Sequence, residues 1–140
     1  MVRHEFGIGP SKDAKMIRKA VFCDEQGYQN EFDESDPSSV SIVLYLDEQP
    51  IATGRLVKID PSLYQLGRLA VLKEYRCKKV GHYTVNFLLA KAREMGANRV
   101  MAHVQDDKIG FYRKLGFKNM PGIEPDFDEG HRHVYMIRYL

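Results

Sequence analysis

The run Val40 to Leu46 is apolar at almost every position, which predicts a strand covered on both faces. Asp47 to Pro50 turns the chain, and Ile51 to Ile59 returns it as the second arm of a hairpin. After a turn at Asp60-Pro61-Ser62, Tyr64 to Leu72 completes a meander. Gly54, inside the second arm, marks a bulge or a close approach by a neighbour. From Gly81 to Met95 the period becomes helical, with Val85, Leu88, Leu89, Ala92 and Met95 on one stripe and Gly96 placed as a left-handed cap. Arg99 to Val104 is then a strand parallel to the one before the helix, as a βαβ crossover requires.

The flanks carry weaker signals. Residues 3 to 8 predict an edge strand. Ser11 is an N-cap for a helix from Lys12 to about Cys23, with Ala14, Ile17, Ala20 and Val21 on one face. Residues 24 to 37 are acidic with little apolar periodicity and predict a short second helix or a loop with a solvated face. Asp106 or Asp107 can cap a helix from Lys108 to Leu115 that Gly116 ends. Residues 118 to 128 are loop or weak strand, and His133 to Leu140 is a last strand. The order is strand, two helices, three strands, helix, strand, helix and two strands. This is an α/β fold, a mixed and mostly antiparallel sheet with helices on both faces, in one domain over residues 1–140.

An apolar fraction of 44% and a charged fraction of 29% fit a soluble globular protein. The net charge of +2 implies no polyanion, so no nucleic acid is expected. No apolar run approaches the roughly 20 residues of a membrane span, and the amino terminus has no signal-peptide core. Cys23 and Cys77 lie far apart without metal-type spacing, which predicts a reduced, cytoplasmic protein.

The candidate chemistry centres on Leu69 to His82. An apolar strand end, a basic loop and a helix start bring unpaired N–H groups, the positive helix end and basic side chains to one point, which suits a phosphate. An ordinary strand-to-helix connection with solvated basic residues reads the same way. Cys77, at a helix start beside Arg76 and Lys78, sits where a thiol pKa falls, but no base and orienter accompany it. His131 and His133 share one strand face, as metal ligands do, yet no third ligand is legible, so no metal is expected.

The spacing of Val71, Arg76 and Gly81, with the later Phe111-Tyr-Arg-Lys-Leu-Gly-Phe117 box, resembles the GNAT superfamily of N-acetyltransferases. Val21-Phe-Cys-Asp-Glu-Gln-Gly27 resembles a signature of a small, stand-alone bacterial branch. The resemblance implies that acetyl-CoA is the acyl donor. Backbone near Leu69, Ala70 and Val71 would pair with its pantetheine arm. Arg76, Cys77, Lys78, Lys79, Val80, Gly81 and His82 would hold its pyrophosphate, with Gln105 and Phe111 along its path. Lys79 stands where the family usually has glycine; a right-handed helical φ there would suit lysine but crowd the phosphates. The same resemblance makes Tyr112 the general acid and places Glu25, Gln26, Arg55 and His133 on the acceptor side. A base is not legible: the strand glutamate of many relatives is replaced by Gly67, leaving Glu25, Glu31, a water relay or none. The reaction implied is acetyl transfer to an amine, of a small molecule or a peptide, by direct attack in a ternary complex. A catalytically silent CoA-binding module and a binder of other phosphate ligands are the alternatives. The last strand, if exposed, can pair across a homodimer.

Overall fold

A computed structural model describes residues 1–140. Its strands are β1 (Val2–Ile8), β2 (Val40–Leu46), β3 (Gln49–Asp60), β4 (Leu63–Val71), β5 (Arg99–Gln105), β6 (Lys118–Asn119), β7 (Asp126–Asp128) and β8 (His131–Tyr139). The α-helices are α1 (Lys12–Arg18), α2 (Val80–Glu94) and α3 (Ile109–Lys114). The eight strands form one sheet in the order β1-β2-β3-β4-β5-β8-β6, with β7 pairing on β8. Every pairing is antiparallel except β4 with β5. That parallel pair is the one joined through α2, so the predicted crossover stands.

Alternation in β2 sends side chains to two separate cores. Ile42 and Leu44 join Leu56, Leu66, Val85, Leu88 and Tyr112 on the side of α2 and α3. Val43 and Tyr45 join Ala14, Ile17 and Val21 of the α1 side. Helices therefore cover both faces. Gly54 is where α2 comes closest: a Cβ there would lie 2.7 Å from Leu88 Cδ1. No helix is long and apolar enough to cross a membrane.

Local signals held where they were strong. Ser11 Oγ accepts the Ala14 N–H at 3.2 Å, and Gly96 and Gly116 take φ of +101° and +89°. Two expectations are corrected. No second helix follows α1; the helix widens into a π segment over Lys19–Glu25, and only a 3-10 turn at Asp36–Ser38 precedes β2. Asp106 and Asp107 do not cap α3 but form a 3-10 turn leading into it. Residues 118–128, expected as loop or weak strand, hold two short strands, both paired to the edge of β8 that β5 leaves free.

Candidate active site

The parallel ladder of β4 and β5 runs only from Leu63–Arg99 to Leu66–Ala102. Past it, Arg68 adopts φ +49° and the register to β3 slips: Arg55 faces Gly67, while Thr53 faces Ala70. One extra residue on β4 is a bulge, and a bulge bends its strand. β4 swings away while β5 stays paired to β8 through Gln105. The fork opens a cavity of about 320 Å³, lined by Leu66 to Leu69 on one side and His103 to Gln105 on the other. Beyond Leu66 the β5-facing edge of β4 has no strand partner, so its peptide groups are free to pair with an extended ligand.

The end of β4 leads into the second half of the site. A 3-10 turn at Lys73–Tyr75 is followed by Cys77 and Lys79, at φ +62° and +63°, before α2 begins at Val80. Lys79 thus takes the left-handed conformation rather than the right-handed one expected for it. No side chain caps α2, so its first N–H groups point outward unpaired at the positive end of the helix. Cys77, Lys78 and Lys79 are exposed around them. Arg76 is not free: its Nε donates to the Val71 carbonyl at 2.9 Å and its Nη2 to Glu25 at 2.7 Å. Glu25 therefore latches this loop to the π segment, with its carboxyl held below the usual range by the Arg76 hydrogen bonds.

Phe111 and Tyr112 form the wall between loop and cavity. A Cβ on Gly81 would lie 3.1 Å from Phe111 Cζ, and the Phe111 ring meets His82 and Tyr112 edge-on. α3 ends with Phe117 N–H on the Tyr112 carbonyl and Gly116 N–H on that of Arg113. In this glycine-ended cap the residue after glycine packs back on the helix, and the Phe117 and Tyr112 rings do so at 5.3 Å. Tyr112 is thus fixed by packing while lining the cavity. Burial pushes its phenol well above the usual value.

The opposite wall corrects part of the reading of residues 24 to 37 as a solvated face: Asp24, Glu25 and Glu34 are exposed, but Glu31, Asp33 and Asp36 are folded inward. Arg18 is 2% exposed, and its guanidinium bonds Glu31 and both oxygens of Asp36. Arg55 bonds Asp33 and Asp36, so it is no exposed strand residue, and Arg68 bonds the Glu31 carbonyl and Asp33. Three cations from α1, β3 and β4 fold three anions of one loop inward. Burial favours a raised pKa for Asp36, but the bonds from Arg18, the Asp33 N–H and Arg55 outweigh it and hold the group well below its ordinary value. Burial and the neighbouring Arg55 lower the pKa of Arg68. Gln26 Oε1, the Tyr28 hydroxyl, Glu31 Oε2 and Arg55 Nε are buried without a hydrogen-bond partner, and all four residues line the cavity.

Of the residues singled out in the sequence, Gln26, Glu31, Arg55, Gly67, Leu69, Gln105, Tyr112 and His133 line this cavity. Ala70, Val71, Arg76, Cys77, Lys78, Lys79, Val80, Gly81, His82 and Phe111 lie at or beside the loop, and Glu25 is bound to it. Sequence reasoning missed Arg68, Tyr28, Asp33 and His103. It also passed over Arg18, whose position between Ala14, Ile17 and Val21 puts a charge on the apolar face. His103, Asp126 and His133 bring their donor atoms within 4.8 Å of one another. The two imidazoles are stacked, with planes 20° apart, so their in-plane lone pairs run side by side rather than converging on one ion.

The model of the Acetyltransferase (GNAT) family matches residues 11–117. The chain is 32% identical over 130 residues to the uncharacterised N-acetyltransferase YjcF of Bacillus subtilis (strain 168), covering 91% of each. The crystal structure of an acyl-CoA N-acyltransferase from Pseudomonas aeruginosa superposes with a TM-score of 0.84 at 19% identity, over 99% of both chains. That of a GNAT family acetyltransferase from Elizabethkingia anophelis with acetyl-CoA bound gives 0.78 at 12% identity, over 99% of this chain and 98% of the other.

Proposed function

The chain belongs to the GNAT family of acetyltransferases, an acyl-CoA-dependent N-acetyltransferase, and on that premise we propose that it transfers acetyl from acetyl-CoA to a polar amine by direct attack. The observation that carries this reading is the fork: the free edge of β4 past Leu66 leads through one short basic loop to the uncapped start of α2. An extended arm ending in a pyrophosphate fits such an arrangement. The backbone of Gly67 to Val71 would pair with the arm as an added strand. The N–H groups of Val80, Gly81 and His82, with Lys78 and Lys79, would hold the phosphates. Bound there, the donor supplies the activated acyl carbon at the fork.

Tyr112 sits at the fork with its proton retained at every physiological pH. It donates a hydrogen bond to the sulfur as negative charge develops there, the preorganised stabilisation that a buried donor provides. The acceptor enters from the side of Gln26, Tyr28 and Arg68. The orphaned polar atoms on that wall favour an acceptor with hydrogen-bonding groups beyond its amine, since a purely apolar one would leave them unsatisfied.

Titration calorimetry with acetyl-CoA and, separately, ATP tests the donor, and thiol release over a panel of primary amines tests transfer. Micromolar acetyl-CoA binding with weaker ATP binding is expected, and Tyr112→Phe should keep the affinity while losing about 10²-fold in kcat. Equal affinity for ATP, or donor binding with no thiol release, would contradict the proposal.

A further inference from the structure

The reaction as proposed lacks a base, because an alkylamine arrives at neutral pH as its ammonium. The acidic groups near the cavity are mostly committed. Glu25 is bound to Arg76, Glu31 to Arg18, and Asp33 to Arg55 and Arg68. Gly67, on the strand at the fork, carries no side chain. We propose that His133 is the general base of this N-acetyltransferase, taking the first ammonium proton on Nε2; the assignment rests on the transfer reaction proposed above.

The geometry fixes which nitrogen is free. His133 Nδ1 lies 2.9 Å from the backbone carbonyl of His131. A carbonyl only accepts, so Nδ1 carries the proton of the neutral ring and Nε2 the lone pair. No protein group bonds Nε2, and the ring lines the cavity beside β5. The ring cannot swing. It is 7% exposed and stacked on His103 at 4.3 Å. His103 in turn donates from Nε2 to Asp126 Oδ1 at 2.6 Å, and its other face stacks on Tyr135.

The charged and titratable groups facing His133 come from every neighbouring element. His103 projects from β5, Asp126 and Asp128 from β7, and Tyr112 shares the cavity from α3. Burial and the nearby His103 lower the His133 pKa, while the His131 carbonyl, Asp128 and Asp126 oppose that shift. The net shift is downward, so the ring is neutral and ready to accept a proton at pH 7.

The proton balance then closes. Nε2 takes one proton from R–NH3⁺, and the freed lone pair forms the N–C bond as the C–S bond breaks. The nitrogen loses a second proton as it becomes an amide. That second proton replaces the one the Tyr112 hydroxyl hands to sulfur, so the phenol ends as it began, and His133 returns its own to water. One proton is released per turnover, as thioester aminolysis by an ammonium requires.

The test pairs two amines with acetyl-CoA as donor: benzylamine, protonated at pH 7, and 4-methoxyaniline, already neutral there. His133→Gln should lose about 10²-fold in kcat/KM for benzylamine and change little for 4-methoxyaniline. In the variant the acid limb of the benzylamine profile should move up from the His133 titration to that of the amine itself, and acetyl-CoA affinity by calorimetry should hold. Imidazole added to His133→Ala should restore benzylamine turnover selectively, a readout that a packing role would not move. Independently of activity, nitrogen-detected NMR of the native protein should show His133 as the Nδ1–H tautomer, titrating below 6.5. Equal losses for both amines, no loss for benzylamine, or a protonated His133 at pH 7 would overturn the assignment and leave the transfer reading standing. Failure to bind acetyl-CoA would instead remove that reading, and donor binding without acetylation of either amine removes the base with the chemistry it serves.

Discussion

Replacing Arg18 with methionine removes the most buried charge in the chain while keeping an unbranched side chain against Phe32, over whose ring the guanidinium lies at 4.6 Å. Stripping one partner from a buried ion pair costs about 3–5 kcal/mol, because the other charge stays behind unpaired. Here both anions keep a partial substitute. Asp36 retains Arg55 at 2.7 Å, and Glu31 retains Arg68 at 3.3 Å. The loss should therefore fall at the low end, about 3 kcal/mol. With a urea slope of about 2 kcal/mol per molar, the midpoint moves down by roughly 1.5 M. The chain has no tryptophan, so far-UV circular dichroism is the probe. The pH dependence checks the cause. Asp36 is held below its ordinary 3.8 in the fold; its stabilisation is full above 3.8 and is lost as pH falls from there toward the folded value. Without Arg18 that depression shrinks, so the gap between native and variant should be widest at pH 7 and narrow below pH 3.8. A loss under about 1 kcal/mol at pH 7, or a gap that does not narrow in acid, would refute the reasoning.

Two further substitutions probe the site's frame. Lys79→Gly should stabilise the fold by about 0.5–1 kcal/mol, since the left-handed φ costs an L-residue roughly 1–2 kcal/mol and glycine's greater chain entropy offsets part of the gain. The same change removes one exposed cation beside the start of α2, where the phosphates are proposed to bind, so acetyl-CoA Kd should rise about 2–5-fold; denaturation and calorimetry on one sample check both signs. Gly54→Ala drives a methyl to 2.7 Å from Leu88, which is fully buried, and overpacking of this kind costs about 1–3 kcal/mol. Adding Leu88→Ala should give a double variant more stable than the sum of the two losses, measured by the same urea titrations.

What was legible in the sequence is what short-range chemistry decides. The meander, α2 and its glycine cap, and the closeness of Gly54 to a neighbour all follow from period and from residues without a Cβ. The bulge at Arg68 was invisible, because a left-handed arginine leaves no glycine to mark it and a ladder of four pairs reads like a longer one. The acidic stretch was misread because its partners lie far away: Arg18 is 13 residues from Glu31, and Arg55 is 22 from Asp33. A solvated charge run and a folded-in one have the same local composition. Only Arg18 on the apolar stripe of α1 could have hinted at the difference. His103 and Asp126 meet across 23 residues, through two strands that pair with a third.

The bulge and the ion network are one device. A left-handed φ at Arg68 is unfavourable by roughly 1–2 kcal/mol, yet the residue that bears it also holds the loop. Its Nε donates to the Glu31 carbonyl at 2.9 Å and its Nη2 to Asp33 at 3.2 Å. Charge-assisted bonds of this kind contribute about 1.5–3 kcal/mol each and offset the backbone strain. The loop is fixed again by Arg18 from α1 and Arg55 from β3, so the fork cannot close without breaking bonds to three elements. The count of charges also bears on selectivity. Arg18, Arg55 and Arg68 meet Glu31, Asp33 and Asp36, three against three, and this cavity wall has no net charge from its own scaffold. In the transfer reaction proposed above, selection among amines then falls to the groups the network leaves over. These are the unpaired Gln26 Oε1 and Tyr28 hydroxyl, whose pKa burial pushes up to about 12 so that it stays a neutral donor, and the Asp128 carboxylate at the rim.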